Sequence, residues 1–225
     1  MAGFDDHVAA IVLAAGYSSR MGGAFKPLLK LGDYTVVERA VMAHLDAGIR
    51  DVRVVTGYRA DEVAAAVKHL DIGVVVNRNF EKGMFSSIQA GVATLASTVQ
   101  AFFIMPVDIP FIEPATIRTI LDAHEKHGCG ITVPIYRERK GHPPLIAGRY
   151  AAEIMKSSAP DGLRGILNSH ETEARNVEVD DEAILLDIDT PEDYRRLAGF
   201  RERRNIQNEE ELKESLGPIW KKYPR

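Results

Sequence analysis

Short apolar runs alternate along this chain with stretches of helical periodicity. Residues 9–13, 52–56, 74–76 and 101–105 read as buried strands. Between the first two, Thr35-Val-Val-Glu38 is a capping box. Val37, Ala40, Val41, His44 and Leu45 then share one face, and Gly48 stops the helix. Asp61 opens a second helix through Val67. Ser86-Ser-Ile-Gln89 reads as another capping box, opening a helix to about Ala96. Pro114 suits a first helical position, with Ile117, Ile120, Leu121 and His124 on one face. Such alternation predicts an α/β fold of three Rossmann-like layers, a mostly parallel sheet with helices on both faces. Ligands in these sheets bind beyond the carboxyl ends of the strands, so the segments that follow strands are where chemistry is expected.

The pattern loosens after Gly130. Residues 131–135 and 145–147 read as strands flanking the charged loop "YRERKGHPP", and 149–155 and 163–168 read as helices. Residues 183–187 read as a strand. Thr190 then caps a helix with Pro191 at its first position. From Arg201 the chain is a charged tail, with an amphipathic helix expected over 209–216. A length of 225 residues fits one α/β domain plus a short appendage, so residues 1–200 are expected to form the domain and 201–225 a helical extension.

Charge and cysteine usage exclude several classes. A net charge of −4 argues against a broad basic face for nucleic acid, so any phosphate binding must be local. The one cysteine, Cys129, allows no internal disulfide and fits a reducing compartment. The apolar run 8–15 is too short to span a bilayer and follows Asp5, Asp6 and His7 rather than a basic leader. A cytoplasmic protein with no membrane or nucleic-acid partner is expected.

Residues 11–28, "IVLAAGYSSRMGGAFKPL", end an apolar strand in small residues and run on through Arg20, Gly22, Gly23 and Lys26. Neither a P-loop nor the dinucleotide spacing Gly-x-Gly-x-x-Gly is present. Bare backbone N–H groups near Arg and Lys still suit phosphate oxygens. A flexible loop with solvated basic residues is the alternative. In "FFIMPVDIPFI", Asp108 ends an apolar strand, where an ionised carboxylate is costly unless paired. A Mg²⁺ carrying a polyphosphate is one partner, and a turn aspartate is the alternative. In "LLDIDTPEDY", Asp187 and Asp189 alternate on the expected strand and so point to opposite faces; Asp189 lies nearer its end. Asp108 and Asp189 together offer two carboxylates for one metal.

Three further positions carry weaker signals. Gly83 precedes a helix N-terminus at Ser86 and Ser87, where free N–H groups favour anions, although a serine there is more simply a cap. Gly91 within that helix suggests close backbone packing. Asn77 is a turn former by default and a base or ribose contact by hypothesis. His142, between Gly141 and Pro143, is a loop histidine able to change charge near neutral pH. A zinc site at His124, His127 and Cys129 is discounted, since His124 falls on the apolar face and no second ligand pair supports it.

With these residues assembled, the sequence resembles the nucleotidyltransferases of α/β fold. More narrowly, it is similar to the MobA-like NTP transferase group typified by molybdenum cofactor cytidylyltransferase. "LAAGYSSRMGGAFKPLL" carries the broad likeness. "NRNFEKGMFSSIQAGV", "MPVDIPFIEPATI", "GHPPLI", "APDGLRGILNSH" and "DIDTPEDY" carry the narrower one, in the family's order, across about residues 8 to 200.

The resemblance implies a nucleotide-diphospho-sugar transferase type of fold and a reaction. An acceptor's terminal phosphate attacks the α-phosphate of a nucleoside triphosphate, and pyrophosphate leaves. Leu13, Ala14, Ala15, Gly16, Asn77 and Gly83 would bind the nucleotide. Arg20 and Lys26 would hold its phosphates, Asp108 and Asp189 would bind Mg²⁺, and Ser86, Ser87 and His142 would face the acceptor. Ala15 resembles cytidylyl members, which favours CTP. Molybdopterin is the implied acceptor, with a molybdoenzyme or its chaperone as the receiving partner. A phosphate nucleophile is already ionised, so positioning and charge neutralisation suffice, and no triad is needed. Val107 departs from the glycine or cysteine usual before the metal aspartate, and the tail after Phe200 lies outside the likeness. A sugar or polyol phosphate acceptor, and a carrier that binds without turnover, are the alternatives; a dinucleotide-dependent oxidoreductase lacks its fingerprint.

Overall fold

A computed structural model describes residues 7–158 and 160–198. Its first strand, β1 (Val8–Ala14), is buried at every position, as a strand covered on both faces must be. A small antiparallel pair follows, β2 (Lys30–Leu31) with β3 (Tyr34–Thr35), and leads into α1 (Val36–Asp46). The capping box forms as the sequence implies: the Thr35 hydroxyl accepts from Glu38 N–H, and the Glu38 carboxylate accepts from Thr35 N–H at 2.6 Å. Then come β4 (Asp51–Thr56), α2 (Ala60–Val67), β5 (Gly73–Val76), α3 (Met84–Val92) and β6 (Ala101–Pro106). The second half holds α4 (Pro114–His127), β7 (Ile131–Tyr136), β8 (Arg139–Lys140) and β9 (Leu145–Ala147). It closes with α5 (Ala151–Lys156), α6 (Gly162–Ser169), β10 (Ala174–Glu178) and α7 (Pro191–Ala198).

The main sheet runs β10-β7-β9-β6-β1-β4-β5, with β8 paired to the outer part of β7. Neighbours are parallel except where β9 and β8 join. Alternation along β1 divides the core. Ala10, Val12 and Ala14 pack with Val37, Val41, Val63 and Ile117 of α1, α2 and α4. Ala9, Ile11 and Leu13 pack with Ile88, Ile154 and Ile166 of α3, α5 and α6. Helices therefore cover both faces, as the alternation required.

Three expectations need correction. Residues 183–187 do not form a strand: Glu182–Leu185 is a 3-10 turn, and the edge strand is the polar β10. Ile184 and Ile188 are fully buried by plugging the core beside α1 and α4, so their apolarity reflects packing and not a ladder. The α3 helix starts earlier and ends sooner than the serines suggested, with Gly83 in the cap position (φ 96) and Ser86 already inside. Asp187 and Asp189 consequently lie in irregular chain, not along a strand. The helix expected over 209–216 lies outside the described residues. No helix among the described residues is long and apolar enough to cross a membrane.

Candidate active site

After β1 the chain moves outward through β4 and β5, then returns to β6 on the other side of β1. This reversal opens a crevice beyond the ends of β1 and β6, the position where open sheets bind ligands. The loop leaving β1 is pinned from both sides: Val107 N–H donates to the Leu13 carbonyl and Tyr58 N–H to the Ala15 carbonyl, each at 3.1 Å. Ser18 adopts a left-handed backbone (φ 56), and its Oγ accepts from Lys26 N–H at 3.1 Å. The loop thereby folds back and carries Lys26 into the crevice.

Lys26 is 8% exposed, and a cation so placed needs anions. Its Nζ lies 3.2 Å from Asp108 Oδ2 and 3.0 Å from Asp189 Oδ1. Asp108 follows β6 by two residues. The chain bearing Asp189 is held against it by Ile188 N–H, which donates to the Asp108 carbonyl at 2.9 Å. Arg20 closes the group from the solvent side, 2.5 Å from Asp189 Oδ2. Four residues singled out in three separate motifs thus meet at one point.

These residues suit a divalent cation. Asp108 and Asp189 turn carboxylate oxygens towards one positively charged atom, and no group of three or more His, Cys, Asp or Glu stands together among the described residues. Two carboxylates, with water and substrate phosphate completing the shell, match the way Mg²⁺ is held.

A cleft of about 310 Å³ extends from this cluster, lined by Leu13, Ala14, Ala15, Gly16, Lys26, Asp108, Gly83 and Ser87. A Cβ at Gly16 would meet nothing within 4 Å, so its backbone stands bare to the cleft. The α3 N-terminus opens here through Gly83 and Met84. Leu13, Gly83, Met84 and Pro106 also line a second cavity of about 720 Å³. Apolar Ile88, Ile104 and Val133 border that cavity together with Lys82, Lys140 and Arg164 and with the acidic Asp161 and Glu171. His142 lines it too. Its Nδ1 is buried without a partner, and burial pushes its pKa down against the opposing pull of Asp108 and Asp187.

Two expected site residues stand elsewhere. Asn77 lines neither cavity. Its Nδ2 donates to Ser86 Oγ at 2.9 Å and Ser87 Oγ at 3.0 Å, and its Oδ1 accepts from Asn79 N–H at 2.9 Å. It is a bracket for the start of α3, because its amide is fully engaged inside the protein. Ser86 lines neither cavity either; its hydroxyl donates to the carbonyls of Gly83 and Asn79. Sequence reasoning also passed over Tyr17, Phe80 and Glu81, which line the cleft. The Tyr17 hydroxyl donates to Glu81 Oε1 at 2.8 Å, and that bond raises the Tyr17 pKa. The position of Tyr17 directly after "LAAG" was the available signal.

The model for the MobA-like NTP transferase domain matches residues 10–174, from β1 to the start of β10. This chain belongs to that family. As a MobA-like NTP transferase it is a nucleotidyltransferase, and it spans nearly the whole length of the two curated relatives that follow. It is similar to nicotine blue oxidoreductase of Paenarthrobacter nicotinovorans, 31% identical over 84% of this chain and 96% of that protein. It is similar to the molybdenum cofactor cytidylyltransferase of Escherichia coli K12, 26% identical over 82% and 92%. Among solved structures, Rv0371c of Mycobacterium tuberculosis superposes on this MobA-like fold with a TM-score of 0.75, at 29% identity over 85% of this chain and 97% of that one. The manganese complex of the same protein gives 0.71 at 28% identity over 86% and 98%.

Proposed function

We propose that this nucleotidyltransferase moves CMP from CTP to the terminal phosphate of molybdopterin, releasing pyrophosphate, with Mg²⁺ held by Asp108 and Asp189. The observation that carries the reading is the meeting of Lys26 with both carboxylates at the end of a cleft walled by Ala14–Gly16. Mg²⁺ supplies charge neutralisation on the phosphates. Lys26 holds the α-phosphate, and its ammonium offsets the charge that grows as the P–O bond to pyrophosphate breaks. Arg20, already at the rim on Asp189, is placed to follow the leaving pyrophosphate. Backbone N–H groups at the start of α3 face anions from the other side.

The acceptor reading rests on the second cavity. Its apolar surface suits a ring system, and Lys82 and Arg164 can meet a phosphate, with Asp161 and Glu171 also on the wall and Lys140 paired to Glu171 at 3.7 Å. It adjoins the nucleotide cleft through Leu13, Gly83, Met84 and Pro106, so an acceptor phosphate has a short path to the α-phosphorus. His142 and Ser87 border the two cavities and serve as contacts for the bound pair. Relatedness to the Escherichia coli cytidylyltransferase and the manganese-bound neighbour support the same reading. A molybdoenzyme or its chaperone would receive the product in the cytoplasm.

The test is pyrophosphate release from each of the four nucleoside triphosphates with Mg²⁺ and molybdopterin, then with sugar and polyol phosphates. Release with CTP and molybdopterin supports the proposal, and release only with a sugar or polyol phosphate replaces the acceptor. The name of one relative points to redox chemistry. Oxidation of a reduced nicotinamide without pyrophosphate release would favour that alternative.

A further inference from the structure

Asp108 and Asp189 are neutralised by Lys26, but the carboxylate of Glu81 in the same cleft is not. Among the described residues no cation lies within ion-pair distance of Glu81. Its Oε1 accepts from Tyr17 Oη at 2.8 Å, and its Oε2 has no partner among them. Tyr17 is itself wedged, its ring centroid 5.0 Å from Tyr58 and 5.2 Å from Phe80. Phe80 reaches that position because residue 57 is glycine: a Cβ there would come within 2.6 Å of Phe80 Cβ. Tyr58 in turn stands edge-on to Phe25 at 5.5 Å. The carboxylate is thus held by the hydroxyl of a half-exposed ring that packs on Tyr58 and Phe80 at the mouth of the cleft.

An unneutralised carboxylate repels phosphate, so this end of the cleft suits the uncharged part of a nucleotide. A carboxylate only accepts hydrogen bonds. We infer that Glu81, positioned by Tyr17, selects nucleobases bearing an exocyclic amine, accepting from the 4-amino group of cytosine and rejecting uracil, whose carbonyl oxygen would face it. This inference rests on the nucleotide reading of the cleft.

Calorimetric binding of CTP, UTP and 2′-deoxy-CTP with Mg²⁺, without acceptor, tests it. CTP and UTP differ at position 4, amine against carbonyl, and at N3, an acceptor in cytosine and an N–H donor in uracil, so a preference for UTP would put the carboxylate at N3 and overturn the inference. Wild type should bind CTP more tightly than UTP. Glu81→Gln, at an exposed position, should narrow that ratio about tenfold, the scale of one hydrogen-bonded base edge, because an amide can present either a donor or an acceptor. Tyr17→Phe should narrow it by about threefold by freeing the carboxylate. The CTP to deoxy-CTP ratio should stay unchanged in both variants. No CTP preference in wild type, an unaltered ratio in Glu81→Gln, or a change confined to deoxy-CTP overturns the inference while leaving nucleotide binding intact. Failure to bind any nucleotide overturns the nucleotide reading and this inference with it.

Discussion

Lys26 Nζ lies 3.0 Å from Asp189 Oδ1, a contact between residues 163 positions apart that ties the loop after β1 to the chain before α7. With Asp108 on the other side, the ammonium keeps two carboxylates together. Lys26→Met should lower pyrophosphate release by about 10²–10³-fold, the loss expected when one charge-stabilising donor is removed. Nucleotide binding should weaken far less. Steady-state kinetics with CTP checks this, and a variant within tenfold of wild type would refute the role given to Lys26.

Asn77→Ala removes a buried amide that bonds Ser86, Ser87 and the Asn79 N–H. Stability should fall by about 1–3 kcal/mol, because those groups lose a partner inside the protein. Urea unfolding should show a lower midpoint. The nucleotide KM should rise as well, since α3 begins at the cleft wall.

His44 is fully buried in α1. Its Nδ1 faces the Ala40 carbonyl at 2.9 Å, its Nε2 is unpartnered, and burial lowers its pKa to about 4. The folded state resists protonation while the unfolded chain takes a proton near its usual value of about 6.5. The unfolded state therefore binds more protons, and stability falls as pH drops from about 6.5 towards 4, by about 3 kcal/mol in all. Below that range both states are protonated and the slope ends. Thermal melts across this range should show the decline, and His44→Leu should flatten it.

Gly91 sits where α3 crosses β1 and β4. A Cβ there would lie 2.5 Å from Ile11 Cγ2 and 3.0 Å from Val55 Cγ2. Alanine favours a helix over glycine by about 1 kcal/mol. Overpacking against fully buried Ile11 and Val55 costs about 1–3 kcal/mol and should win. Gly91→Ala should therefore lower the melting temperature, and a rise would show that β1 yields more readily than its burial implies.

The sheet was legible because buried strands leave apolar runs, continuous in β1 and β6 and interrupted by Arg53 in β4 and by Thr132 and Pro134 in β7. The polar edge strand β10 left none, since an edge needs no such run. Residues 183–187 were misread for the complementary reason: Ile184 and Ile188 are apolar to fill the core, and periodicity cannot separate a plug from a ladder. Local chemistry also misled at α3. A serine three residues before a glutamine looks like a cap, but the positive φ of Gly83 had already started the helix.

Sequence alone determined the alternating α/β order, the Thr35 cap and the identity of the charged groups at strand ends, because each depends on neighbours a few residues away. Only tertiary structure decided which of those groups share a site. Lys26, Asp108 and Asp189 meet because β1 and β6 are adjacent in the sheet and the Ile188 N–H holds its segment to the Asp108 carbonyl. By the same means Asn77 was removed from the cleft wall and Tyr17 and Glu81 were added to it. Burial and long-range hydrogen bonding set those positions, and neither is written in local spacing.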